Sequence, residues 1–161
     1  MKEPKHILFV CLGNIVRSPL AENLFRQMAK REGYGANYNV DSAGTSAFHA
    51  GEPPDVRMRR TAAGYGFDYD GSARRFRLDD FDRFDLILAM DLQNRQNLMA
   101  LARGPQDERK IRLMREFDPK ASPEAEVPDP YYGGMDGFEK TYAIVERSVH
   151  GLLEALQTGN L

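Results

Sequence analysis

The first apolar feature of the chain is a compact run, Ile7-Leu8-Phe9-Val10, with no polar residue interposed. Lys5 to Val10 therefore predicts a strand covered on both faces, since a half-exposed strand would alternate. Ser18-Pro19 then reads as a helix start, with Ser18 as N-cap and Pro19 at the first helical position. Ala21, Leu24, Phe25 and Met28 follow at i, i+3, i+4 and i+7, an amphipathic helix that should stop near Gly33. Tyr38 to Asp41 predicts a second, short strand, and Pro53-Pro54-Asp55 opens a helix that ends around Gly64 to Gly66. Leu86-Ile87-Leu88-Ala89 is a further buried strand. Asp91 caps the next helix, which carries Leu92, Leu98, Met99 and Leu101. Ile111 to Met114 makes a fourth strand. The last helix spans about Phe138 to Leu156, with Tyr142, Val145, Val149, Leu152, Leu153 and Leu156 on its apolar face.

Strands and helices alternate, which predicts the α/β class: a single domain over 1–161, with a four-stranded parallel sheet and helices on both faces. Ligands of such sheets bind beyond the carboxyl ends of the strands, where the strand order reverses. The loop after the first strand is the first place to look. Asp118 to Gly134 is a second, because this proline-rich irregular stretch is too long for a plain connector.

Composition narrows the function classes. The chain has 161 residues, 42% of them hydrophobic and 10% aromatic, enough for one well-cored domain. Lys and Arg number 22 against 24 Asp and Glu, a net charge of −2 that argues against a nucleic-acid partner. No apolar run approaches the ~18 residues of a membrane span, and the first run is too short for a signal peptide. These features predict a cytoplasmic protein with no membrane association. One Cys, Cys11, and three scattered His give no internal disulfide and no metal-ligand spacing, so no metal or cofactor is implied.

A lone Cys is most often inert core. The surroundings of Cys11 point elsewhere. It stands between a buried strand and a helix N-terminus, a position that attracts anions and activates thiols. Gly13 and Asn14 tolerate the positive φ of a tight anion-wrapping loop. Arg17 offers a planar fork for two phosphate oxygens, and Ser18 carries a hydroxyl within reach of the sulfur. Together they predict a thiolate beside a bound phosphate.

The stretch Cys11-Leu12-Gly13-Asn14-Ile15-Val16-Arg17-Ser18-Pro19 resembles the phosphate-binding loop of the low-molecular-weight protein tyrosine phosphatases, C-x5-R-S-P. The resemblance extends along nearly the whole chain. Asp41-Ser42-Ala43-Gly44-Thr45 after the second strand, Met90-Asp91 after the third and Asp129-Pro130-Tyr131-Tyr132-Gly133 before the last helix stand in family order.

That resemblance implies the phosphotyrosine protein phosphatase I-like fold and a metal-independent hydrolase of phosphotyrosine and aryl phosphates. Its partners would be a phosphotyrosine-containing protein and a phosphate or sulfate anion in the loop. Cys11 would be the nucleophile that becomes phosphocysteine. Arg17 and the backbone N–H groups of Leu12, Gly13, Asn14, Ile15, Val16, Arg17 and Ser18 would surround the phosphoryl oxygens. On the residues alone, Asp129 reads equally as a turn aspartate; the resemblance assigns it as proton donor and then as base. Ser18 would stabilise the departing thiolate, Asn14 and Ser42 would hold the loop, and Phe48, Tyr131 and Tyr132 would wall the substrate ring. Ile15 stands where a bulky apolar residue marks tyrosine-directed members and Thr marks phosphoarginine-directed ones.

Two positions depart from the family. Val16 stands where many members carry a second Cys that forms a protective disulfide with the nucleophile, so Cys11 should pass the recoverable sulfenic stage more readily. Gly71 falls where animal enzymes carry a His behind Ser42, which puts the hydrogen-bond network there in question. The clusters Arg57, Arg59, Arg60 and Arg74, Arg75, Arg77 read as solvated faces, with contact to acidic phosphopeptides as the alternative, and His49 as a surface loop residue, with the cleft mouth as the alternative. An arsenate reductase on this fold would need further cysteines. A phosphoryl carrier would not need Asp129 or the aromatic walls. A non-catalytic phosphate or phosphotyrosine binder, and a protein-arginine phosphatase, remain the alternatives.

Overall fold

The computed structural model describes residues 3–161. Strand β1 (Lys5–Cys11) lies at the centre of a four-stranded parallel sheet with β2 (Tyr38–Gly44), β3 (Leu86–Ala89) and β4 (Ile111–Leu113), in the order β2-β1-β3-β4. The chain moves outward from β1 to β2 and then crosses back to β3 on the other side. The order therefore reverses between β1 and β3, and both strands end there at a crevice suited to a ligand.

The continuous apolar run of β1 is explained by its two covered faces. Ile7, Phe9 and Cys11 pack with α1 (Arg17–Arg31), α2 (Val56–Ala63) and α6 (Met135–Thr158), through Leu20, Phe25, Met58, Val145 and Val149. Leu8 and Val10 face the opposite way, toward Phe81 of α3 (Asp80–Arg83) and Leu98 of α4 (Leu92–Leu101). The six-residue α5 (Pro105–Lys110) leads into β4. Successive residues of a strand point to opposite faces, so each strand position meets one of two cores. The α/β arrangement with helices on both faces is as the alternation predicts.

Several boundaries differ from the sequence reading. The first helix begins at Arg17, with Val16 at the cap, rather than at Pro19 after a Ser18 cap. Ser18 caps nothing because its hydroxyl is occupied by Cys11 and Asn14. The second strand runs on through Asp41 to Gly44, so all of the Asp41-Ser42-Ala43-Gly44-Thr45 motif but Thr45 lies inside β2, with Gly44 in register with Cys11. Asp55 and Asp91 do cap α2 and α4, accepting backbone N–H bonds from Arg57 and Met58 and from Asn94. Met99 and Leu101 of α4 are exposed, and of its apolar residues only Leu98 is fully buried. The short α3 and α5 and two 3-10 turns, Gly35–Asn37 and Met114–Phe117, went unread in the sequence. The proline-rich 118–134 stretch has no regular element, as expected. Among the described residues no helix is long and apolar enough to cross a membrane.

Candidate active site

Cys11 is the last residue of β1, and the turn Leu12–Val16 carries the chain directly into α1. Such a tight return needs one residue in the left-handed region, and Asn14 takes it at φ 56°. The turn is braced from outside. Thr45 N–H donates to the Cys11 carbonyl (2.9 Å), Ser46 N–H to Leu12 (3.0 Å) and Asp55 N–H to Ile15 (2.7 Å). Gly44 allows this approach. A Cβ there would sit 2.7 Å from the Leu12 carbonyl oxygen and 3.2 Å from Asn14 N.

Behind the turn, Asn14 organises a buried network. Its Nδ2 donates to Ser18 Oγ (2.8 Å) and Ser42 Oγ (2.9 Å), while its Oδ1 accepts from Arg74 N–H (2.9 Å). Ser42 in turn donates to Glu22 Oε1 at 2.6 Å. Ser18 Oγ lies 3.0 Å from Cys11 Sγ. The network closes without a His. Gly71 is exposed, a Cβ on it would meet only Pro54, and Glu22 of α1 supplies the acceptor behind Ser42.

The Arg17 side chain is 2% exposed, and its guanidinium is held in place by several partners. Its Nη1 donates to Asp91 Oδ2 (2.7 Å) and to the Val127 carbonyl (3.0 Å), and Nη2 lies 3.5 Å from Asp129 Oδ2. Burial works to lower its pKa, but the charge of Cys11, the bond to Asp91 and the charge of Asp129 outweigh burial and raise it. Asp91 thereby serves both the cap of α4 and the orientation of Arg17. The long segment before α6 is stitched to the end of β3 by Val127 N–H on the Met90 carbonyl (2.7 Å). Asp129 follows between two prolines, with its Oδ1 accepting from Tyr131 N–H (3.1 Å) and its carboxylate partly open to solvent.

A cleft of about 320 Å³ joins these parts. Cys11, Leu12, Gly13, Ile15, Val16, Arg17, Phe48, Asp129, Tyr131 and Tyr132 line it, whereas Asn14, Ser18 and Ser42 stand behind its wall. Tyr131 is partly buried, but Phe48 and Tyr132 are 83% and 96% exposed, so they form the rim rather than the walls. Ser46, which was not predicted, and His49 line the cleft too. The His49 side chain is only 16% exposed, lies over Gly13 between Phe48 and Tyr131, and pairs through Nδ1 with Glu52 (3.0 Å). It is a cleft residue, not a surface loop one. Arg57 and Arg74 are not solvated faces either. Arg57 binds Asp55 and the Tyr131 carbonyl, and Arg74 pairs with Asp41 and the fully buried Asp80. A larger groove of about 660 Å³ between α1, the 114–117 turn and α6 has no cysteine and lies apart from these residues.

A family model described as low molecular weight phosphotyrosine protein phosphatase matches residues 6–160. A low molecular weight protein-tyrosine-phosphatase of Streptomyces coelicolor is 43% identical over 94% of this chain and 93% of its own length. The low molecular weight phosphotyrosine protein phosphatase of Homo sapiens is 38% identical, covering 93% of this chain and 94% of its own. The crystal structure of a protein tyrosine phosphatase from Entamoeba histolytica, with Hepes in the active site, superposes with a TM-score of 0.92. It is 38% identical and covers 98% of this chain and 99% of that one.

Proposed function

The chain belongs to the low molecular weight phosphotyrosine protein phosphatase family and is therefore a hydrolase of phosphoproteins, and we propose that residues 1–161 act as one domain cleaving phosphotyrosine through a phosphocysteine intermediate. The observation that carries this reading is the convergence of Cys11, Arg17 and Asp129 on one cleft. The loop amides and the Arg17 fork hold the three nonbridging phosphoryl oxygens, offsetting the charge that repels a nucleophile. The Cys11 thiolate attacks phosphorus in line, and the bond from phosphorus to the phenolic oxygen breaks. Asp129 gives its proton to that oxygen. In the second step Asp129, now a carboxylate, takes a proton from water as water attacks phosphorus. The S–P bond breaks, and Ser18 donates to the returning thiolate, a role supported by its 3.0 Å approach to Sγ.

The shape of the cleft supports an aryl substrate. Cys11 is 2% exposed, at the base, and the rim is aromatic, so a phosphorylated hydroxyl must project past Tyr131 and His49 to reach its sulfur. A phosphotyrosine ring has that length, and phosphoserine does not. Ile15 presents an apolar surface to the cleft and offers no acceptor for the N–H groups of a phosphoarginine guanidinium. A nucleophile that must stay a free thiol also suits a reducing compartment, which supports a cytoplasmic location.

The test is hydrolysis of p-nitrophenyl phosphate at about pH 5.5, with EDTA present, by the wild type and Cys11→Ser. Turnover should survive EDTA and fall at least about 1000-fold in the variant. A phosphotyrosine peptide should be cleaved about tenfold or more faster than a phosphoarginine peptide. An active Cys11→Ser enzyme would refute the cysteine mechanism, and preference for phosphoarginine would refute the substrate assignment.

A further inference from the structure

Asp55 and Arg57 flank the start of α2, away from the motif residues, yet they touch both halves of the site. The Asp55 N–H donates to the Ile15 carbonyl of the phosphate loop at 2.7 Å. Its carboxylate, 8% exposed, takes the Arg57 guanidinium through Nη2 (2.9 Å) and Nε (3.2 Å). Arg57 Nη1 then donates to the Tyr131 carbonyl at 2.9 Å, and Tyr131 N–H donates to Asp129 Oδ1 at 3.1 Å. The guanidinium also lies 5.1 Å from the centre of the Tyr131 ring and 4.7 Å from that of Phe138. A continuous strap thus runs from the phosphate loop through an ion pair to the carboxylate at the cleft lip.

Placement of that carboxylate is otherwise weak. Asp129 lies in an irregular segment, partly exposed, and its one ionic partner among the described residues, Arg17, is 3.5 Å away. General acid catalysis needs the donor within hydrogen-bond reach of the leaving oxygen, and a misplacement of ~1 Å costs up to about 100-fold. We propose that Arg57, braced by Asp55, is a positioning residue that holds the 129–131 segment over the phosphate loop and so sets the proton transfer from Asp129. A guanidinium suits the task because its planar fork serves the Asp55 carboxylate and the Tyr131 carbonyl at once. A lysine ammonium on this stem cannot reproduce both with the ring contacts.

This inference rests on the assignment of Asp129 as the acid, so the experiment separates the two. The leaving group supplies the readout. Phenyl phosphate releases a basic phenolate that needs the proton, whereas 2,4-dinitrophenyl phosphate releases a phenolate that departs without it. For Arg57→Ala, kcat/KM should fall about tenfold or more on phenyl phosphate and about threefold or less on the dinitrophenyl ester. Inhibition by inorganic phosphate, which reports the loop alone, should change about twofold or less. Arg57→Lys, which keeps the charge and guards against a variant that fails to fold, should lie between wild type and Arg57→Ala. Asp129→Asn should show the same leaving-group pattern more strongly. If Asp129→Asn shows the pattern and neither Arg57 variant does, or both lose activity equally on the two esters, the positioning role is overturned and the acid assignment stands. If Asp129→Asn itself shows no dependence on the leaving group, both fall.

Discussion

Asn14 decides which way the hydroxyls beside Cys11 point. Its Oδ1 is taken by Arg74 N–H, so the other end of the amide is the NH2 group, and both of its protons go to Ser18 and Ser42. Ser18 Oγ therefore accepts from Asn14 and has its own proton to give. Cys11 Sγ at 3.0 Å is a closer partner for it than the Ala43 carbonyl at 3.5 Å. Ser42 is oriented the same way, donating to Glu22. In the proposed mechanism the Ser18 proton matters most when Sγ leaves phosphorus. Ser18→Ala should lower steady-state turnover about 10- to 100-fold while leaving a rapid first release of nitrophenol, close to one equivalent, in stopped-flow traces. Equal slowing of both phases would contradict that assignment. Cys11, Asn14, Arg17, Ser18 and Ser42 were legible in the sequence because short motifs hold them together. Glu22 was not, since it sits among polar residues on one helix face. Nor was Arg74, whose contribution to Asn14 is a backbone N–H that no side-chain pattern reports.

At the level of elements, the long helix α6 carries a glycine in its interior, two turns from its C-terminal end, where alanine would ordinarily be favoured by about 1 kcal/mol. Gly151 is there because the carbonyl of Phe117, in the turn after β4, packs against the helix backbone. A Cβ at that position would fall deep inside contact with the Phe117 oxygen. Gly151→Ala should thus reverse the usual sign and destabilise the fold by about 3 kcal/mol, read as a lower urea midpoint with unchanged m. A neutral or stabilising effect would show that the turn can yield. Strands β1 and β3 were readable as unbroken apolar runs, and helices α1 and α6 because their apolar residues repeat with the helical period over a sufficient length. The four residues of α3 and six of α5 are too few to show one. The start of α1 was misread for a different reason. Ser18-Pro19 looks like a cap only when the hydroxyl is free, and here the site claims it. Gly151 has the same lesson: its reason lies in the approach of a distant carbonyl, invisible in the helix sequence itself.

For the molecule as a whole, the site depends on how the long segment 118–134 is anchored, because both Val127 and Asp129 reach Arg17 from it. Asp118 anchors the start. Its side chain is fully buried and takes Arg147 Nε of α6 (3.1 Å), Arg115 Nε (3.0 Å) and Lys120 N–H (2.9 Å), while Arg115 also binds the Glu126 carbonyl (3.0 Å). Burial alone would raise the Asp118 pKa, but the bonds to Arg147, Lys120 N–H and Arg115 more than offset it and hold the carboxyl below its ordinary value. Asp55, on the strap across the site, is lowered in the same way: burial opposes, and the bonds from Arg57 prevail. A carboxyl depressed in the folded state binds fewer protons there than in the unfolded chain, whose value is about 3.9. Its contribution is complete above that value and is lost as pH falls through the folded pKa. Stability should therefore be nearly flat from about pH 7 to 5 and decline below about pH 4. Asp118→Asn keeps the shape but leaves two arginines facing a neutral amide, at a cost of about 2 kcal/mol at pH 7. In more acid solution the wild type loses the same interactions, so its urea midpoint should approach that of Asp118→Asn as the pH drops below about 4. A gap between the two midpoints that stays constant from neutral to acid pH would mean that Asp118 acts through packing rather than charge.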